Sequence, residues 1–273
     1  MGANAAAREI LRAEWRGRTP YDVALAIQQG AVRERVEGRA PHRLILLEHD
    51  DVITIGRGSG TGHVLIGDDE ARRRGVVITE SDRGGDVTYH GPGQLVGYPI
   101  IDLAALGDGR RDLHRYLRDI ESALIAALGE LGIAASTRAG RTGVWVDGEK
   151  LASIGVRVSR WITSHGFALN VATDLGRFRW IVPCGIDGCR MTSIARLTGA
   201  APALAVVGEI VARAFAERFG LALEWCATPS GCASSGIASI DSIAGAASIA
   251  GVRGVAGATR EHHIDSRALP VAS

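Results

Sequence analysis

Apolar residues recur along this chain with two distinct periods, and the switches between them mark out its elements. Thr19 and Pro20 read as the cap and first position of a helix, after which Val23, Ala24, Ile27 and Val32 repeat at helical spacing. Short apolar runs at 44–47, 52–55 and 76–78, each bounded by charge or glycine, predict strands. Residues 95–101 read as another strand beyond a glycine-rich stretch. Leu113, Leu117, Ile120, Leu124, Ala127 and Leu128 predict an amphipathic helix that ends near Gly129 or Gly132. Residues 166–171 suit a strand and 203–219 a helix.

The most legible local structure is a hairpin. Val144-Trp145-Val146 is followed by Asp147-Gly148, the dipeptide of a type I′ turn, and then by a return strand from Glu149. With side chains alternating at period two, Lys150 shares a face with Ala152, Ile154, Val156 and Val158. That reading puts an amine on an apolar face.

Residues 1–18 look like an Ala/Arg extension, 19–226 like one domain, and 227–273 like a low-complexity tail. The tail is rich in Ala, Ser and Gly, lacks aromatic residues and repeats Ser-Ile-Ala-Gly. Such a composition buries too little apolar surface to hold an ordered fold.

Composition adds one exception and several exclusions. Of the 31 basic residues, every one but Lys150 is arginine. A guanidinium stays protonated at any working pH, whereas an amine can give up a proton or stand as a compact charge beside a nucleophile. A formal net charge of +1 argues against nucleic-acid binding, which normally shows a basic excess. Charges at Arg8, Glu9, Arg12 and Glu14 interrupt any apolar signal region, and no apolar stretch reads as membrane-spanning. The four cysteines, Cys184, Cys189, Cys226 and Cys232, form no Cys-x-x-Cys pair and no zinc spacing. A cytoplasmic protein is expected.

Two segments carry candidate chemistry. In the run from Arg83 to Gln94, glycine clusters flank Asp86-Val87-Thr88-Tyr89-His90, which lets backbone approach a bound group and turn amides toward it. Neither phosphate-loop nor dinucleotide spacing is present; read alone, the run is also compatible with a hairpin. Cys184, between Pro183 and Gly185, is a candidate nucleophile, with the other three cysteines read as small buried residues. The thiolate is the reactive form of a cysteine. A protonated lysine about 4 Å away supplies roughly 4 kcal/mol at an effective dielectric near 20, so a single amine suffices to generate a thiolate.

These segments together resemble the octanoyltransferases of lipoate biosynthesis. The resemblance rests on Arg83-Gly84-Gly85 with residues 88–94, on 143–155, on Ser164-His165-Gly166-Phe167-Ala168-Leu169-Asn170, and on Pro183-Cys184-Gly185, in order and at matching spacing over about residues 20–225. It implies an α/β fold of the biotinyl/lipoyl protein ligase type, a mixed sheet flanked by helices in one domain. It also implies an acyltransferase: Cys184 takes an octanoyl group from octanoyl-acyl carrier protein as a thioester and passes it to a lysine of a lipoyl domain. The acceptors would be lipoyl domains of 2-oxoacid dehydrogenase complexes and the glycine cleavage H protein. Lys150 would lower the thiol pKa and shuttle protons. Arg83, Gly84, Gly85, Asp86, Val87, Thr88, Tyr89 and His90 would bind substrate, together with Ser153, Ile154 and Gly155, and Gly166, Phe167 and Ala168. No metal or cofactor is implied. Two departures are Val182 in place of a polar residue and Asp50-Asp51 in place of a proline turn. The rival readings are an ATP-dependent lipoate-protein ligase and a non-catalytic module that binds lipoyl domains.

Overall fold

The computed structural model describes residues 8–59, 61–106, 111–186 and 188–228. The elements in chain order are β1 (Ile10–Arg18), α1 (Tyr21–Val36), β2 (His42–Glu48), β3 (Val52–Ile55), α2 (Asp68–Arg74), β4 (Val77–Glu80), β5 (Thr88–His90) and β6 (Gln94–Ile100). There follow α3 (Leu113–Glu130), β7 (Ser136–Arg138), β8 (Arg141–Val146), β9 (Glu149–Ser159), β10 (Ile162–Asn170), α4 (Ile194–Thr198), α5 (Leu204–Phe219) and β11 (Ala222–Cys226). Eight strands form a mixed sheet in the order β11-β1-β2-β6-β10-β9-β8-β7, and β4-β3-β5 form a smaller one. Residues 229–273, nearly all of the expected tail, lie outside the described residues. Cys226 is disulfide-bonded, not the free thiol expected.

The expected N-terminal extension is instead part of the sheet from residue 10 onward. Strand β1 pairs in parallel with both β2 and β11. Leu11 and Ala13 are fully buried. The charges between and beyond them are matched, Arg12 with Glu224 and Arg16 with Glu14, each at 3.1 Å. Paired charge lowers the cost of taking arginine into a sheet.

Helices α3 and α5 cover one face of the large sheet, packing Tyr116, Ile120, Leu124, Val211 and Phe215 on Leu44, Leu46, Leu95 and Leu169. The Asp112 carboxylate caps α3 by accepting from the amides of His114 and Arg115. Helix α1 covers the other face, against Ile45, Val96, Tyr98 and Ala168. Its N-cap is Pro20, without a side-chain bond; the Thr19 hydroxyl turns back to the Arg16 carbonyl. Its buried stripe is Ala24, Gln28 and Ala31, while Val23 faces solvent. The stripe is rotated from the expected one, and Gln28 uses the inward position to accept from the His165 amide at 2.9 Å.

The β8–β9 hairpin has the expected turn, with φ of 48° at Asp147 and 80° at Gly148. Its register differs from simple alternation. Trp145 stands opposite Lys150 but Val144 stands opposite Ala152, so one extra residue is inserted in β9. Opposed residues share a face and successive ones alternate. Lys150 therefore lies on the face of Trp145, opposite to Ala152, and not with it as the period predicts. It is nevertheless 2% exposed, because a later loop covers that face too.

Candidate active site

That loop comprises residues 181–186 and 188–192, and it is bound to β9 through backbone. The Lys150 amide donates to the Arg190 carbonyl (2.8 Å) and the Thr192 amide to the Lys150 carbonyl (3.0 Å). Pro183 opens a single tight turn in which Cys184 adopts φ 57°, ψ 23°. A non-glycine residue in this left-handed region costs of order 1–3 kcal/mol. The turn is pinned from the other side by the Cys184 amide, which donates to the Val87 carbonyl at 3.2 Å. Lys150 Nζ then lies 2.9 Å from Cys184 Sγ. The ammonium also stands over the Trp145 ring, 5.4 Å from its centroid.

Room for the lysine comes from a glycine. A Cβ at Gly143, whose φ is +132°, would lie 2.6 Å from both Lys150 Cε and the Ala152 carbonyl oxygen. The Gly143 amide donates to the buried Glu121 carboxylate at 2.8 Å, fixing that close approach.

Cys184 and Lys150 open on a cavity of about 380 Å³, within the ~300–1,000 Å³ usual for small-ligand sites. Its floor is the face of the large sheet where Ser153, Gly155, Gly166 and Ala168 present small groups or none. Its roof is the run from Arg83 with the cysteine turn. Arg83, Gly85, Asp86, Val87, Thr88, His90, Ser153, Ile154, Gly155, Gly166, Phe167 and Ala168 all line it. Two expected residues do not. Gly84 instead ties the roof to the floor, its amide donating to Val156 at 2.8 Å. Tyr89 points the opposite way from Thr88 and His90, as strand alternation requires, into a second core with Phe178 and Trp180, where its hydroxyl donates to Asp51.

Several lining residues were not among those expected: Tyr21, Val96, Tyr98, Arg141, Thr142, His165 and Ile186. The period-two pattern of β6 puts Val96 and Tyr98 on one face, which is the only sequence signal for them. His165 lies inside a matched motif, yet nothing in the chain marks its φ of 55° or its 2.6 Å contact from Nε2 to Asp82.

The histidines around the cavity are held neutral. Burial is the largest cause that lowers His90 to about 3; its Nδ1–H donates to Gln94 Oε1 at 2.9 Å. Gln94 Nε2 donates to Asn170 Oδ1 (3.0 Å), and Asn170 Nδ2 to the Thr192 carbonyl (3.0 Å). A buried polar chain thus links the roof to the residue that bonds Lys150. Burial also lowers His49 to about 4. Its Nδ1–H donates to the Thr19 carbonyl and its Nε2 accepts from Tyr98, both at 2.7 Å. Among the described residues no carboxylate forms an ion pair with the buried Arg83, whose guanidinium is satisfied by the Thr54 hydroxyl and carbonyl and the Gly84 carbonyl.

Known proteins resemble this chain over most of its length. The octanoyltransferase of Solibacter usitatus is 51% identical over 203 residues, covering 74% of this chain and 90% of its own length. That of Geobacter metallireducens is 50% identical over 199 residues, covering 73% and 89%. Among solved structures, lipoate-protein ligase A bound with ATP superposes with a TM-score of 0.62 at 16% identity, covering 81% of this chain and 89% of that one. A putative lipoate protein ligase from T. acidophilum gives 0.60 at 16% identity, covering 78% and 88%. At such identities the structures speak for the fold alone, a mixed sheet flanked by helices. The lipoyl protein ligase A/B catalytic domain model matches residues 20–216, and the chain belongs to that family.

Proposed function

We propose that this chain is an octanoyltransferase of lipoate biosynthesis that works in the cytoplasm through a thioester on Cys184. The observation that carries the reading is the 2.9 Å approach of Lys150 Nζ to Cys184 Sγ at the wall of a small cavity. The thiolate is the form that attacks a thioester carbonyl, and Lys150 is placed to exchange a proton with the sulfur. The donor would be octanoyl-acyl carrier protein, whose departing thiolate takes its proton from Lys150. The octanoyl chain would lie over the small residues of β9 and β10, under the roof from Arg83 to His90. The lysine of a lipoyl domain then attacks the thioester, Cys184 leaves as thiolate, and Lys150 recovers a proton. Neither half-reaction calls on a nucleotide, and this separates the reading from that of a lipoate-protein ligase.

Intact mass after incubation with octanoyl-acyl carrier protein tests it. The wild type should gain one octanoyl group and Cys184→Ser none. A wild type that never acquires the mass, or a Cys184→Ser variant that still lipoylates with ATP, overturns the covalent route.

A further inference from the structure

A lysine ammonium that becomes an amide gives up two protons, one before it attacks and one as the tetrahedral adduct collapses. At pH 7 only about one lysine amine in 2,500 is neutral, from an ordinary pKa near 10.4. Lys150, having passed one proton to the departing donor, can take back one. The other proton needs a base on the solvent side of Cys184, where an amine carried by another protein must arrive.

His63, beside the cysteine loop, is the candidate. The segment that carries it runs beside the cysteine loop: the Val182 amide donates to the His63 carbonyl at 2.8 Å, and Val64 bridges Ile181. His63 Nδ1 is 2.7 Å from Asp86 Oδ2, an ion-pair contact, and the tautomer that suits it carries the proton on Nδ1. That tautomer leaves Nε2 as the open lone pair. Asp86 is fixed in turn, its other oxygen accepting from the Val87 amide at 2.6 Å, and the Val87 carbonyl holds the Cys184 amide. Burial opposes ionisation of Asp86, but hydrogen bonds from His63, Ser59 and the Val87 amide outweigh it and hold the carboxyl below its ordinary value. A Cβ built on Gly185, the residue after the nucleophile, would collide with the Asp86 carboxylate and lie 3.1 Å from His63 Cε1. The His63 side chain is 34% exposed, so its proton has a route to water that the buried Lys150 lacks.

We propose that His63, oriented by Asp86, is the base that takes the first proton from the acceptor lysine, a role that rests on the acyl-enzyme reading above. The neutral amine then forms its bond to the thioester carbonyl carbon. The carbon–sulfur bond breaks, the electron pair returns to Cys184, the nitrogen's second proton passes to Lys150, and the imidazolium releases its proton to solvent. Charge and protons balance over the cycle, with one proton released per amide formed. His63 is the catalytic residue here and Asp86 its positioning residue.

The test separates the half-reactions in His63→Gln and His63→Ala, with octanoyl-pantetheine as donor, a purified lipoyl domain as acceptor, and quenched intact-mass kinetics. Glutamine can still donate to Asp86 but is no base. Both variants should acylate within about threefold of wild type. Transfer from the isolated acyl-enzyme should fall by about 10²–10⁴ in both, the range for loss of a general base. Added imidazole should restore part of it in His63→Ala. Transfer within threefold of wild type, loss of both half-reactions in parallel, or recovery in His63→Gln alone overturns the proposal. A wild type that acquires no octanoyl group overturns the acyl-enzyme reading itself, and the role of His63 with it.

Discussion

Replacing Gly143 with alanine should disconnect the amine from the sulfur while leaving the fold in place. The new Cβ would sit 2.6 Å from Lys150 Cε and from the Ala152 carbonyl oxygen, where ordinary contact begins near 3.4 Å. The carbonyl belongs to a hydrogen-bonded strand and cannot retreat, so the lysine must move by about 1 Å. Starting from the 2.9 Å Nζ–Sγ distance, that shift takes an ion pair from about 5.7 to about 4.3 kcal/mol at an effective dielectric of 20. The loss is roughly tenfold in favour of the pair, and misplacement of a reacting group by 1 Å can cost about 10²-fold. The φ of +132° at this position adds about 1–3 kcal/mol of backbone strain. Gly148→Ala is the matched control. Gly148 also has a positive φ, 80°, but a Cβ there meets nothing within 4 Å. Octanoyl transfer, the rate of Cys184 alkylation followed on its own peptide, and urea denaturation should be measured on both variants. Both should fold, with Gly143→Ala the less stable because its Cβ also meets the Ala152 carbonyl oxygen, and only Gly143→Ala should lose 10- to 100-fold in transfer and a similar share of alkylation rate. Equal activities in the two variants would refute the claim that Gly143 makes room for the catalytic amine.

Lys150→Arg should keep the fold yet lose most turnover, by about 10²–10⁴, because a guanidinium holds charge but does not exchange its proton; near-normal kcat would reduce Lys150 to a replaceable charge. Acid should destabilise the protein before its carboxylates titrate. Burial, the largest cause in each case, lowers His42 and His49 to about 4 and His90 to about 3. The unfolded chain therefore binds protons first as pH falls below about 6.5, so the contribution is intact above 6.5 and drains away toward pH 4. For His49 alone, 2.5 pH units amount to roughly 3 kcal/mol. Urea midpoints measured from pH 8 to 4.5 should fall accordingly, and a flat profile across pH 6.5–4.5 would contradict this.

Local chemistry was the legible part of this chain. Asp147-Gly148 announces its turn because few dipeptides accept two positive φ values. Burial of Lys150 follows from its apolar neighbours, but the inserted residue in β9 puts it on the other face, and only the long-range return of residues 190–192 buries it there. Strand β1 was missed because its arginines read as solvated. The carboxylates that neutralise it include Glu224, over 200 residues away in sequence. Tyr89 was assigned to the cavity because it sits inside a motif, although alternation with Thr88 and His90 already directs it elsewhere. The turn at Arg160-Trp161, with φ of 51° and 65°, carries no glycine or asparagine to betray it. His63 and Asp86 come together only when residues 63–66 lie along the cysteine loop, a pairing no local pattern encodes.

The burial of Lys150 also bears on what this protein can do to itself. A thioester beside a protein surface is an acylating reagent for any exposed amine, and guanidinium groups are too weakly nucleophilic to compete. Since this chain has one lysine, 2% exposed, an octanoyl amide on the protein itself has two addresses, Lys150 and the α-amino group. The enzyme therefore offers the thioester no exposed lysine, and mass mapping of a transfer reaction reads acceptor lysines without background from exposed lysines of the enzyme.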